Sequence, residues 1–432
     1  MRCDRLAAVE SATAMSPEMS PDMKPERFDV IISGASFAGV ALARALRLAL
    51  GDALKIALVD RARKLDEPTP DARAFALSAA SKRMLDRLGV WHEIAPAAQP
   101  VTAIDITDSS LEAAVRPIIL SYDNHLDRAE PATFIVPAKA LEQALYASIG
   151  KDAALTFIAP AEAESFTAGE FSIEVALKDR PAISAALLIG AEGRRSASRE
   201  AAGIKTVGWS YGQIAIVTTI AHSIPHGGRA TQHFLPGGPF ALLPLLGNRS
   251  CITWSEEEKE ARRILAQDDE GFLAEIEQRT AGRLGTITLA GPRQSWPLEM
   301  HLARSYVAPR FAAIGDAAHG VHPIAGQGVN LAFRDVAALA EVLADAARLG
   351  LDIGSMQTLE HYERWRRFDS TLSAATFDGI NRVFSSDHTL LRAARDFGLS
   401  TVDRIPALKS YFVSEAAGTA GSLPRLLKGE PV

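Results

Sequence analysis

Two hydrophobic periodicities divide the chain. Phe28, Val30, Ile31 and Ile32 form a short apolar run of strand type that passes into the glycine turn Gly34-Ala35-Ser36-Phe37-Ala38-Gly39 and then into an apolar helical stretch ending near Leu50. A second run, Ile56-Ala57-Leu58-Val59, ends on Asp60. Strand, glycine turn, helix and strand predict a βαβ unit, because parallel strands need a crossover helix and the ligand of such a unit sits beyond the strand ends. From 214 to 255 the pattern changes to short β-rich runs at 214–220, 240–245 and 251–254, separated by Gly and Pro, which predicts a mostly antiparallel sheet. Ser255 and Glu258 stand at capping-box spacing and predict the start of a charged helix. After Phe311 a strand, a glycine turn and a long helix return, and the C-terminal third reads as helical.

Composition narrows the class. A chain of 432 residues has room for about two to three structural units. Hydrophobic residues at 47% and charged residues at 23% place it with ordinary globular proteins. A net charge of −6 without any Lys/Arg stripe argues against a nucleic-acid partner. Cys3 and Cys251 are too few for a metal quartet and suggest no disulfide framework, so a cytoplasmic location is expected and no metal site is assigned. Residues 1–25 hold three prolines and several acids with no apolar run, which reads as a mobile tail rather than a signal peptide. Met15, Met19 and Met23 leave later starts open. The most apolar helix is interrupted by Arg44 and Arg47, short of the ~18 apolar residues of a spanning segment, so any membrane contact is expected to be peripheral.

The glycine turn carries the first candidate chemistry. In such a fingerprint one glycine makes the tight turn, one admits a pyrophosphate and one lets helix and strand pack closely, while the helix-start amides bind phosphate. Here the middle position is Ser36, and Asp60 follows Gly39 by 21 residues, where a carboxylate accepts ribose hydroxyls. A plain strand-to-helix turn with a surface Asp60 is the alternative. A second constellation runs from Gly315-Asp316 through His319, His322, Pro323, Gly326, Gly328, Val329, Asn330 and Leu331. Asp316 follows a strand and suits a polyol hydroxyl, while the helix start around Gly328 points its dipole at an electron-rich ring. His319 and His322 lack the acids or cysteines that would complete a metal shell and read as structural or hydrogen-bonded histidines.

These segments, with Asp71-Ala72-Arg73-Ala74-Phe75-Ala76-Leu77-Ser78 and Gly190-Ala191-Glu192-Gly193-Arg194-Arg195-Ser196, resemble the FAD-dependent aromatic hydroxylases of the p-hydroxybenzoate hydroxylase type, and among them the ring hydroxylases of ubiquinone biosynthesis. The resemblance covers nearly all of the chain from Phe28 onward. It implies an α/β fold: a Rossmann-like FAD-binding domain (26–98, 132–205 and 297–350), an inserted mostly antiparallel β-sheet substrate domain (99–131 and 206–296) and a helical C-terminal region (351–432). It implies FAD contacts at Gly34, Ala35, Ser36, Phe37, Ala38, Gly39, Asp60, Arg61, Arg73, Glu192, Gly315, Asp316, Gly326, Gly328, Val329 and Asn330. Three positions depart from the family pattern: Ser36, Glu192 where Asp is usual, and Leu331-Ala332 where Leu-Gly is usual.

The implied reaction is hydroxylation of a polyprenylated phenol by NAD(P)H and O2 through a flavin hydroperoxide. NAD(P)H would act as a transient donor, and no general base is assigned. Another enzyme on the same scaffold, such as a prenyl reductase or an epoxidase, and a non-catalytic flavoprotein of a quinone-biosynthesis complex are the alternatives. The tail resembles the C-terminus of the ubiquinone-pathway hydroxylases. Its apolar face of Leu408, Tyr411, Phe412 and Ala416 is expected to pack on the protein, with contact to the inner membrane or a partner complex as the second reading.

Overall fold

A computed structural model describes residues 25–61, 71–108, 111, 117–126, 130–150, 152, 154–235, 237–322, 326–384, 413, 414 and 416–432. The N-terminal tail, Pro323, Ile324, Ala325 and the tail residues Leu408, Tyr411 and Phe412 therefore lie outside the described residues.

The glycine turn belongs to a six-stranded sheet in the order Val307–Ala308, Phe311–Ala313, Leu187–Gly190, Val30–Ser33, Ile56–Val59, Leu155–Ile158. Every joint is parallel except the first. All residues of Val30–Ser33, Ile56–Val59 and Leu187–Gly190 are buried, as expected of a parallel sheet covered on both faces, whose strands read as continuous apolar runs. The helix Phe37–Leu50 leaves the first strand and packs against the helix Gly328–Arg348, so two segments distant in sequence meet on one layer.

The second sheet has nine strands. Its main path runs His319–Gly320, Gln294–Ala303, Thr206–His222, Arg249–Glu257, Gly238–Leu245, Arg229–Leu235, Ala103–Asp108 and Ile118–Asp123. Pairing is antiparallel except between Arg229–Leu235 and Ala103–Asp108. The helices Glu258–Leu265 and Asp269–Thr280 cover a core of Trp254, Phe240, Phe272 and Ile276 on this sheet. The α/β fold with an inserted antiparallel sheet is thus the one expected, and a long C-terminal helix, Met356–Phe384, packs on Gly328–Arg348.

One local expectation fails. Ser255 does not cap the charged helix: it is buried within the strand Arg249–Glu257, paired with Ala215, and the helix begins at Glu258 with Glu257 at its cap position and no side-chain cap bond. The spacing was right, but the ladder continued two residues further because the facing strand Thr206–His222 is long enough to pair them.

Candidate functional site

Motifs separated by up to about 280 residues converge at the carboxyl ends of the parallel strands, where ligands of open α/β sheets bind. Gly34 has φ +105°, and a Cβ built there would stand 2.5 Å from the Ala191 carbonyl oxygen. A Cβ on Gly39 would stand 2.0 Å from the Gly34 carbonyl oxygen. Both positions are therefore closed to any side chain, one by backbone conformation and both by space. Ala35 donates its N–H to the Asp60 carboxylate at 2.7 Å, and its carbonyl accepts from the Tyr146 hydroxyl at 2.6 Å. Asp60 thus sits against the turn.

The Ser36 hydroxyl donates to the Ala191 carbonyl at 3.0 Å, which turns it toward the end of the Leu187–Gly190 strand. Glu192 is similarly engaged. Its carboxylate accepts from the hydroxyls of Ser33 (2.7 Å), Ser198 (2.6 Å) and Ser196, and Ser196 in turn caps the helix Ala197–Ala201 through Arg199 N–H. The longer glutamate stem reaches these serines and joins two strand ends to a helix start.

Phe37 and Phe75 meet edge to face at 5.2 Å and bring the strand of Arg73 to the glycine turn. Arg73 is exposed, pairs with Asp71 at 2.6 Å and lies over the rings of Phe75 and Trp296. Arg61 is exposed and faces Glu162 at 3.6 Å.

The second constellation closes the ring. A Cβ on Gly315 would lie 3.6 Å from the Cβ of Ala38, and one on Gly326 3.2 Å from that of Ala76. Asp316 keeps its carboxylate 44% exposed, 3.7 Å from Arg194, while its carbonyl accepts from the His301 imidazole at 2.7 Å. The 21-residue helix starts at Gly328, where an added Cβ would meet no atom of the described residues within 4 Å, and its first amides have no partner within the helix. Val329 is half-buried beside it. Asn330 is held by its own side chain: Oδ1 accepts from Ser78 N–H (3.0 Å) and the Ser81 hydroxyl (2.8 Å), and Nδ2 donates to the Ala76 carbonyl (2.8 Å) and Gln327 (3.0 Å).

Sequence reasoning left the support of this turn unassigned. Asp335, fully buried, accepts from Gly315 N–H at 2.9 Å, from His319 at 2.6 Å and from Arg366 at 2.8 Å. Burial alone would push this carboxyl up, but its pairing with His319 and the Arg366 guanidinium outweighs that and holds Asp335 below the usual carboxylate range. A charged Arg334-Asp335 pair inside an apolar helix was the available signal. His301 is held below the ordinary imidazole range, chiefly by burial.

The cradle fits FAD: the glycine turn admits only backbone, the acid at the end of the second strand, Asp60, closes on that turn, a part-exposed acid follows the strand at Gly315, and a long helix starts at Gly328.

Comparison with known proteins agrees with this geometry. The FAD binding domain family matches residues 27–369. Ubiquinone hydroxylase UbiL of Rhodospirillum rubrum is 39% identical over 413 residues, covering 94% of this chain and 93% of that protein. The 3-demethoxyubiquinol 3-hydroxylase of Escherichia coli is 31% identical, covering 90% of this chain and 98% of that protein. Among solved structures, p-nitrophenol 4-monooxygenase PnpA of Pseudomonas putida superposes with a TM-score of 0.75 at 16% identity, over 92% of this chain and all of that one, which shows a shared fold. With a near full-length relative at 39% identity and a cradle built for the cofactor, this chain belongs to the FAD-dependent hydroxylases of ubiquinone biosynthesis.

Proposed function

We propose that this protein hydroxylates the aromatic ring of a polyprenylated phenol in ubiquinone biosynthesis, using NAD(P)H and O2. The observation that carries the reading is the convergence of three motifs, at 34–39, 190–196 and 315–330, on one cradle at the strand ends. Bound FAD supplies reducing equivalents from NAD(P)H and the activation of O2. The protein's own residues do the remaining work. The turn at Gly34 and Gly39 brings helix-start amides to the pyrophosphate, Asp60 takes the ribose, and Asp316 takes a ribityl hydroxyl. The turn at Gly326, Gly328 and Val329 presents backbone N–H groups to the electron-rich edge of the ring system, where the helix dipole stabilises negative charge. Asn330 acts beneath it by fixing the turn to the strand Ala74–Ser78. Arg73, exposed beside Trp296, is placed for a phosphate.

A polyprenyl phenol resides in the bilayer, and no helix among the described residues is long and apolar enough to cross it. Peripheral contact with the inner membrane, or with a quinone-biosynthesis complex, completes this reading. The exposed pair Phe368 and Leu372, one turn apart on the C-terminal helix, supplies apolar surface for it.

The test has two arms. Purified protein is expected to carry stoichiometric FAD that an anaerobic nicotinamide donor bleaches, and a deletion strain is expected to accumulate a prenylated quinone precursor lacking one hydroxyl. Normal quinone in the deletion strain overturns the pathway assignment; a colourless protein that takes up no FAD overturns the cofactor assignment.

A further inference from the structure

His322 stands apart from the other histidines near the site. His222, His226, His301 and His319 each use a ring nitrogen on a protein partner. His322 is 1% exposed, and neither of its ring nitrogens has a partner among the described residues. A neutral imidazole carries one donor and one acceptor, and burying both unmatched is costly unless a ligand or water completes them. Its surroundings say which ligand. The Tyr211 ring meets it edge-on at 4.9 Å. Val321 is buried beside it in sequence, in an apolar cluster with Met300, Leu331 and Ala374, against which Tyr211 also packs. Leu331 stands three residues beyond Gly328, so this apolar wall adjoins the turn proposed to face the flavin. A flat apolar molecule with one hydroxyl matches a buried imidazole set in apolar walls.

We propose that the His322 imidazole accepts the hydrogen bond of the substrate's phenolic hydroxyl and takes its proton as the ring gains oxygen. This inference rests on the hydroxylase reading above. The electrophilic oxygen is the one the monooxygenase reaction supplies. As a ring carbon uses a ring π pair to bond that oxygen, the oxygen's bond to its carrier breaks and that electron pair leaves with the carrier, while the phenolic O–H bond breaks, its electron pair forms the carbonyl of a dienone, and the proton passes to imidazole. The ring carbon then loses its own proton to water, that electron pair restores aromaticity, and the imidazolium returns its proton to the carbonyl oxygen. Burial and the charge of Arg194, opposed by Asp378, keep the imidazole neutral and ready to accept. A weak base suffices, because the hydroxyl proton becomes strongly acidic once the ring has given up its electrons.

The experiment compares FAD-loaded parent, His322→Gln and His322→Leu with a short-chain 2-prenylphenol. Glutamine can accept a hydrogen bond but not the proton, so His322→Gln is expected to keep KM within about threefold while kcat for hydroxylation falls about 100-fold, the usual scale of a lost proton acceptor. His322→Leu is expected to lose kcat and also raise KM about tenfold, as the buried hydroxyl goes unmatched. In the FAD-bound parent, 15N resonances of one histidine should shift on phenol binding, a readout independent of how the variants fold. Parental kcat in His322→Gln, or no histidine resonance responding to bound phenol, overturns the proposal. A parent that holds FAD but hydroxylates no prenylphenol defeats the hydroxylase reading itself, a separate result.

Discussion

The two ends of the cofactor cradle are built by opposite means. At the glycine turn the backbone itself is the constraint: Gly34 and Gly39 are so tightly enclosed by the carbonyls of Ala191 and Gly34 that no side chain could enter. At the start of the long helix there is room: an added Cβ at Gly328 meets none of the described residues. Order there comes from side chains, with Asn330 using both donors and two acceptor sites and Asp335 pinning Gly315 to His319 and Arg366. A phosphate site needs a fixed close approach, which steric exclusion supplies. A site that faces a reacting ring and a substrate needs space, so its rigidity must come from behind. The contrast predicts that the first end breaks when volume is added and the second when hydrogen-bonding groups are removed.

The largest effect is expected from Gly39→Ala. Its methyl would fall 2.0 Å from a backbone carbonyl that cannot give way. The cost should exceed the usual overpacking range, at more than about 3 kcal/mol, with loss of FAD. Chemical denaturation together with flavin content would check this, and a variant that melts with the parent and keeps its flavin would show that the turn is looser than its packing indicates.

Next comes acidification, which probes the second end. Burial first, and Arg194 second, push the His322 imidazole down from 6.5 to about 4. Between those values the unfolded chain binds a proton that the folded chain refuses, so stability is full above the upper value and falls as pH drops toward the lower one. This group contributes roughly 3 kcal/mol to that loss. Denaturation midpoints of parent and His322→Gln followed from pH 7 to pH 4 should converge on acidification; parallel curves would mean the imidazole is already satisfied.

Asn330→Ala follows, at about 2–3 kcal/mol, because it leaves the buried Ser78 amide and Ser81 hydroxyl without their acceptor. FAD affinity should drop with stability in this variant. Gly328→Ala is its counterpart. Its methyl meets no atom of the described residues, so stability should stay within about 0.5 kcal/mol, and any loss of flavin or turnover would come from the ligand side.

How legible this was follows from the same contrast. The glycine turn, Asp60 and the Gly315 segment could be read in sequence because their constraint is local: small residues at set spacing, after a strand and before a helix. The supports could not. Arg366 reaches Asp335 from another helix, and nothing around it in sequence marks that partner. Asn330 was legible as part of a ligand-facing turn, but three of its four side-chain bonds join segments some 250 residues apart. Ser255 misled because capping spacing is also local, while strand length is decided by the partner strand.

A similarly small effect is expected at Ser36, where the two principles meet. It occupies the glycine position closest to a pyrophosphate, yet its hydroxyl is turned to the Ala191 carbonyl at 3.0 Å. Removing that half-buried bond should cost about 0.5–1 kcal/mol. Glycine is itself acceptable at a helix cap, where replacing serine costs only a few tenths. Ser36→Gly should therefore melt slightly below the parent and bind FAD within about threefold of it, near the 0.6 kcal/mol thermal scale. Flavin titration of the apoprotein beside a thermal melt separates the outcomes. Tighter binding by about tenfold or more would mean that the serine Cβ crowds the phosphates, and a loss of that size or greater would make the hydroxyl a phosphate ligand that swings away from Ala191 when FAD binds. An unchanged affinity with a small stability loss is the signature of a serine that braces the turn against the neighbouring strand, leaving phosphate recognition to the backbone.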